Sequence, residues 1–281
     1  MAYHSAATVP VGPAMTMYDP VFLGLYETGE LCTTVLYNRN LLAAGEPGGG
    51  KSGAMQAIAC HAVLCDRTRL VLMDGKQVEL GMLRPLADEF VGADIDHAIT
   101  TLKRLQQVMN NRYTWLLAHG RRKIERHDKV SIIVVLIDEI AFFSATIGTK
   151  PQQEEFISLL RDLVARGRAA GIITVAATQR PSVDIIPTSL RDIFGFRLAF
   201  RCTTPNSSNI ILGHGWAEAG FNASTISPTN QGCAYLIAEG GSPRLMKVAY
   251  LSDAHIAQIV DYATWIRATG RPADPSHVLA A

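Results

Sequence analysis

Four short runs are apolar with almost no polar interruption: Asn40–Ala44, Leu70–Met73, Ile132–Ile137 and Ile172–Ala177. Runs of this length read as strands buried on both faces, the mark of a parallel sheet covered by helices. Ile132–Ile137 is the strongest of them and predicts a central strand. Between them the period lengthens. Met55, Ile58, Ala59 and Ala62 fall on one helical face. Ile95, Ile99, Leu102, Gln106, Met109, Tyr113 and Leu116 do so over about residues 95–119, with Asp94 placed to cap the start. Phe156, Leu159, Leu160, Leu163 and Val164 mark a helix over about 152–168, and 253–269 reads as a further helix. Phe196–Arg201 alternates, which predicts a strand with one less buried face. Val21–Leu25 and Cys32–Tyr37 flank Glu27-Thr28-Gly29-Glu30 and predict an N-terminal hairpin. Cys233–Ala238 and Arg244–Tyr250 flank Glu239–Pro243 and predict a C-terminal one. Strands alternating with helices place the chain in the α/β class, with a central, mostly parallel sheet flanked by helices.

Composition supports one sizeable core: 281 residues, 48% hydrophobic and 18% charged, with a net charge of +1. Any nucleic-acid surface must then be local. The five cysteines (Cys32, Cys60, Cys65, Cys202, Cys233) form no C-x-x-C and no His-spaced ligand set, so they read as reduced thiols in a cytoplasmic protein. The longest apolar run is far short of a membrane span, so work at a membrane implies recruitment by a membrane-protein partner. Residues 1–20, rich in Pro and Gly, read as a loose arm; 21–269 form the core domain and 270–281 a polar tail.

The chemistry begins at Gly45-Glu46-Pro47-Gly48-Gly49-Gly50-Lys51-Ser52, which fits G-x-x-x-x-G-K-[ST] between a predicted strand and a helix. Glycine backbone can wrap a phosphate with its N–H groups inward, and the helix N-terminus, with Gly53 in its first turn, favours an anion. Lys51 suits the β- and γ-phosphates of ATP, and the Ser52 hydroxyl suits Mg²⁺. Downstream, the strongest strand ends in Asp138-Glu139. In that context Asp138 holds Mg²⁺ and Glu139 orients or deprotonates the attacking water; the alternative is a helix cap. Gln179 ends the next strand, where its amide can sense the γ-phosphate or satisfy a loop. Arg161, Arg166 and Arg168 surround the end of the preceding helix, and one of them could neutralise charge in a neighbour's site. The dense basic stretch Arg121–Lys129 reads either as a solvated helix end or as a DNA or partner surface.

Several blocks resemble the motor core of FtsK/SpoIIIE-type DNA translocases. They are Arg168–Ile172 followed by Ala177–Asp184, Asp74-Gly75-Lys76-Gln77-Val78-Glu79-Leu80 (D-P-K-x-x-E-L, with Gly75 for Pro), and Met109–Tyr113 (M-x-x-R-Y). Ile211–Ala217 is most similar to the short actinobacterial plasmid and conjugative-element transfer (Tra) proteins. The resemblance covers about residues 21–250. It implies a RecA-like P-loop NTPase of the additional-strand catalytic glutamate class. It also implies an ATPase that forms a homo-hexameric ring, with sites shared between subunits, and pumps double-stranded DNA. Under it Arg168 is the finger acting in the neighbour's site, and Arg180 and Arg191 are channel-facing DNA contacts.

Three departures bear on this. The stretch Cys202–Asn209, read as a loop, carries no Lys or Arg, so DNA grip there would fall to backbone amides or to Ser207 and Ser208. No winged-helix module or membrane segment is expected, and only some 40 residues precede the phosphate loop, pointing to a minimal motor. The alternatives are a related ring ATPase that moves protein, and a non-motor factor that binds ATP for assembly.

Overall fold

The computed structural model describes residues 15–238 and 240–268. Their strands are β1 (Met15–Thr16), β2 (Val21–Tyr26), β3 (Leu31–Thr34), β4 (Leu41–Ala44), β5 (Cys65–Asp66), β6 (Thr68–Met73), β7 (Glu89–Val91), β8 (Ile132–Ile137), β9 (Ile172–Thr178), β10 (Phe196–Phe200), β11 (Cys233–Ala238) and β12 (Arg244–Val248). The helices are α1 (Lys51–Leu64), α2 (Ile95–Ala118), α3 (Lys150–Arg166), α4 (Thr188–Arg191), α5 (Pro205–Leu212) and α6 (Asp253–Ala268).

Ten strands form one sheet in the order β3-β2-β12-β11-β10-β4-β9-β8-β6-β7. From β10 to β7 every pairing is parallel, and from β10 through β11, β12 and β2 to β3 every pairing is antiparallel. The parallel strands make up one half of the sheet, from β10 to the edge strand β7, and each crossover helix there covers a face. All six residues of β8 and all seven of β9 are buried. Side chains of alternate parity feed two apolar layers, one against α1 and one against α2 and α3.

The predicted elements occur within a few residues of their expected limits. Asp94 caps α2 by accepting from the His97 backbone N–H at 3.0 Å. The two hairpins join: β12 pairs with β2, so both extend one sheet.

The loose-arm reading of residues 1–20 is corrected for residues 15–20. Met15 and Thr16 pair in parallel with Cys65 and Asp66, Met17 is buried, and Tyr18 packs on Tyr37 at 4.3 Å between ring centroids. A two-residue strand has no period to betray it; the pairing with β5 and the contacts of Tyr18 and Asp19 hold the segment. The rest of the arm, 1–14, and the tail 270–281 lie outside the described residues. The reading of Cys202–Asn209 as a loop is also corrected, because α5 begins at Pro205. Thr204 caps it, accepting from the Ser207 N–H. Proline at the first helical position after a threonine is a helix-start signal, outweighed in the sequence by the polar run Pro205–Asn209.

Candidate functional site

The parallel strands all point their C-terminal ends to one edge of the sheet, and the loops there converge. The phosphate loop joins β4 to α1. Its backbone is fixed from behind: the Glu46 N–H donates to the Arg201 carbonyl at 2.8 Å, and the Gly232 N–H donates to the Gly49 carbonyl at 3.0 Å. Gly50 has φ +111°, and a Cβ there would stand 2.5 Å from the Gly232 Cα. Both the conformation and the close approach therefore require glycine. Glu46 spends its carboxylate on Arg201, 2.6 Å away, and its carbonyl on Lys51.

Lys51 is buried, and its ammonium donates to the Gly45 and Glu46 carbonyls at 2.8 and 2.7 Å. Burial lowers its pKa to about 8, with Glu139 and Asp138 pulling it back up. A cavity of about 490 Å³ opens in front of the loop. Pro47, Gly48, Gly50, Lys51, Ser52 and Gly53 form one wall, and Lys76, Glu79, Asp138 and Gln179 face them. Gln231, Gly232 and the stretch Lys247–Leu251 continue the lining beyond the loop. The volume suits a nucleotide-sized ligand.

Asp138 is buried at the end of β8. Its carboxyl is pushed up to about 7, chiefly by burial and then by Asp74, Glu79 and Glu139, with Lys76 opposing. A buried carboxyl crowded by acids is a donor that a divalent cation relieves, and Ser52 lines the same cavity with a hydroxyl. The pair therefore suits Mg²⁺ arriving with a nucleotide. Among the described residues no group of three or more His, Cys, Asp or Glu could hold a metal alone.

Strand β9 lies between the phosphate-loop strand β4 and the Asp138 strand β8. Its register sets Ala176 opposite Ile137, which brings residue 178 level with residue 139. Glu139 Oε1 accepts from the Thr178 hydroxyl at 2.6 Å and the Ala141 N–H at 3.1 Å, and Oε2 accepts from the Gln179 N–H at 2.8 Å. The inserted strand thus connects the two acidic-strand and phosphate-loop halves of the site. Gln179 also lines the cavity.

The D-G-K-Q-V-E-L motif has a mechanical role that spacing did not reveal. The buried Asp74 carboxylate accepts from the Lys76, Gln77 and Leu80 N–H groups at 2.9 to 3.0 Å. This ties a turn that delivers Lys76 and Glu79 to the cavity wall. A Cβ at Gly75 would lie 2.3 Å from two ring atoms of Phe142, so the ring fills the space a larger residue would need. The departure from the Pro-containing form is matched by that aromatic, which begins a π-helical turn (Phe142–Thr146) three residues after Glu139.

Arg168 lies elsewhere, in the turn four residues before β9 begins and so at the opposite edge of the sheet. Seven strand residues separate it from Gln179, roughly 20 Å at the usual rise. It cannot reach its own cavity. No hydrogen bond or ion pair of its side chain occurs among the described residues, whereas Arg166 is held by Asp162 at 2.6 Å. The turn bearing Arg168 is fixed by the M-x-x-R-Y motif. Buried Arg112 donates to the Ala170 carbonyl at 2.7 Å and the Ser131 carbonyl at 2.8 Å, and the Tyr113 hydroxyl donates to the Arg166 carbonyl at 2.6 Å. Arg112 and Tyr113 are thus supports that a search for reactive residues passes over.

Arg180 is exposed directly after Gln179. Arg191 is only 15% exposed and bonded to Asp192 at 2.7 Å, so it meets another anion only by giving up that partner. Ser208 is corrected as a surface contact. It is fully buried, and its hydroxyl accepts from the Ala223 N–H at 3.0 Å. The basic stretch 121–129 neutralises itself in part: Arg121 pairs with Glu125 and Asp128, and Arg126 with Asp19. It sits on the Arg168 edge, with the Ile124 N–H donating to the Ala169 carbonyl at 2.9 Å.

A sequence model of the FtsK/SpoIIIE family matches residues 3–132, which hold the phosphate loop and the Asp74 and Arg112 motifs. The chain is 29% identical to a DNA translocase FtsK of Treponema pallidum, over 91% of this chain and 32% of the relative. It is 28% identical to that of Chlorobaculum tepidum, over 88% and 32%. The chain therefore spans about a third of the length of these curated relatives. Among solved structures, the conjugation coupling protein TcpA of pCW3, described as a monomer form with ATPγS, superimposes with a TM-score of 0.75. The identity is 20%, covering 89% of this chain and 71% of that one. EssC (ATPases 2 and 3) of Geobacillus thermodenitrificans gives 0.72 at 15% identity, covering 92% and 51%. These likenesses show the P-loop ATPase fold that the sheet order and the phosphate loop already describe. The motifs, the matched region and the relatives agree that residues 3–132 are similar to the FtsK/SpoIIIE family.

Proposed function

We propose that this chain hydrolyses ATP with Mg²⁺ to drive movement along double-stranded DNA. In this reading it works as a ring of identical copies, six by the family pattern, in the transfer of a conjugative plasmid or mobile element. The observation that carries the reading is the split of one strand. β9 ends beside Glu139 at the cavity and starts at Ile172, after the turn that carries Arg168, whose side chain has no ionic partner among the described residues. A closed ring sets the far edge of one copy against the cavity of the next, where a guanidinium can offset charge in phosphoryl transfer. Lys51 and the loop from Gly45 to Gly53 hold the phosphates, Ser52 and Asp138 hold Mg²⁺, Glu139 activates water and Gln179 senses the γ-phosphate. Arg180 meets DNA phosphates without reading sequence, as a pump requires. The relatives' name, DNA translocase, and the conjugative role of pCW3 TcpA support this reading. The domain acts in the cytoplasm and is brought to the membrane by a partner. Among the described residues no helix is long and apolar enough to cross it.

A second reading, a ring ATPase that moves protein, draws on Cys202–Asn209, which carries no Lys or Arg. The test compares steady-state ATP hydrolysis with duplex DNA, single-stranded DNA and a peptide substrate at several salt concentrations. Duplex stimulation, lost in Lys51→Ala and Glu139→Gln, is expected. Equal turnover with and without duplex would defeat the DNA reading, and stimulation by peptide alone would favour the second.

A further inference from the structure

Thr178 is absent from the catalytic set assembled above, yet its hydroxyl is the most connected group at the head of β9. It donates to Glu139 Oε1 at 2.6 Å and accepts from the Arg180 N–H at 3.1 Å. Thr174, two pleat repeats back on the same strand face, is a buried threonine whose hydroxyl has no partner among the described residues. A threonine in this strand therefore needs no hydroxyl for packing, and the two bonds at position 178 are specific to that place.

The bonds fall on the group that must react. A carboxylate offers about four lone-pair sites, and three on Glu139 are filled, by Thr178, Ala141 and Gln179. Glu139 is thereby drawn against β9, while its neighbour Asp138 lines the nucleotide cavity. One site stays open, but Glu139 is held off the cavity that Asp138 lines, so reaching a water there asks it to loosen part of this hold. The other end of the hold is the backbone of Arg180, whose side chain is exposed. A phosphate that pulls Arg180 displaces the N–H on which the Thr178 hydroxyl is oriented.

We propose that Thr178 is a positioning residue that restrains Glu139 and links it to Arg180, so that contact with a DNA phosphate raises the rate of hydrolysis. The link to DNA rests on the motor reading above; the restraint itself rests on the geometry alone.

The test measures ATP hydrolysis by the full chain with and without duplex DNA for Thr178→Val, Thr178→Ser and Thr174→Val, with melting temperatures alongside. In Thr178→Val the DNA-free kcat should rise about two- to tenfold, the change expected from losing one hydrogen bond. Its KM for ATP should stay within about twofold, since phosphate contacts are untouched, and the ratio of rates with and without DNA should shrink. Thr178→Ser keeps the hydroxyl and should match the wild type, as should Thr174→Val. If the valine protein is unfolded, Thr178→Ala removes the same hydroxyl with less bulk. A rate that falls by one factor with and without DNA, or an unchanged ratio, overturns the proposal. A wild type indifferent to DNA defeats the motor reading and the DNA link together. The restraint is then judged on the DNA-free rate: a rise in Thr178→Val sustains it and no rise overturns it.

Discussion

The two ends of β9 are built differently. At its C-terminal end, Thr178 and Gln179 are bonded into a partly buried network with Glu139; burial pushes the facing Lys51 down and Asp138 up, with Asp74, Glu79 and Glu139 adding to the rise of Asp138. At its N-terminal end, Arg168 has a backbone fixed by Arg112 and Tyr113, and a side chain with no ionic partner among the described residues. A catalytic carboxylate gains from being held by neighbours in its own chain. A cation meant for another subunit must have its stem held and its charge left open. Under the proposed ring, the contrast separates what a single copy supplies from what it would offer to a second.

The sharpest way to break this comparison is to remove the charge from the far end. Arg168→Ala should lower ATP hydrolysis by about 10³-fold, the usual scale for loss of a transition-state arginine. Nucleotide binding, read by a fluorescent ATP analogue, should persist. Mixing Arg168→Ala with Lys51→Ala subunits should restore part of the activity, because one copy donates the intact arginine and the other the intact cavity. Strictly additive loss would mean that the two ends of β9 serve the same copy.

A smaller effect is expected at the support of the near end. Gly75→Ala pushes a Cβ into the Phe142 ring and should cost about 1–3 kcal/mol in denaturant unfolding. Phe142→Ala in the same chain should recover part of that loss, since the two changes meet in one space. Equal, additive costs would show that the Asp74 turn and the segment after Glu139 are not packed as one unit.

The smallest effect concerns charge. Asp138 is raised from its ordinary range to about 7. The folded protein therefore holds this proton more tightly than the unfolded chain. That linkage stabilises the fold fully below about pH 4 and is lost as pH rises through 7. Asp138→Asn cannot ionise, so without nucleotide or metal it should be more stable than wild type at pH 8, on the order of 1 kcal/mol. The gain should vanish toward pH 4. A constant difference across that range would separate the effect from ionisation.

Much of this arrangement was legible in one dimension. Each central strand is an unbroken apolar run, and such runs tolerate only a doubly covered parallel position. The phosphate loop, Asp138-Glu139 and Gln179 all follow those strands directly, so their shared edge follows from the parallel order. The Thr204-Pro205 start of α5 was present in the sequence but masked by its polar first turn. Arg191 and Ser208 show the opposite limit. The family resemblance implied Arg191 as a DNA contact and the loop reading offered Ser208 as an accessible hydroxyl; in the fold Arg191 pairs with Asp192, and Ser208 is buried and accepts from the Ala223 N–H.

What the sequence determined by itself was the set of elements and the chemistry at their ends, because periodicity and loop composition act over a few residues. What only the tertiary structure decided was pairing across long separations. It set β9 between β4 and β8, Thr178 against Glu139, Phe142 over Gly75, and Arg168 at the edge away from its own cavity. The physical reason is that a hydrogen bond or a van der Waals contact depends on register and direction between strands. Neither is written in the local pattern of either partner.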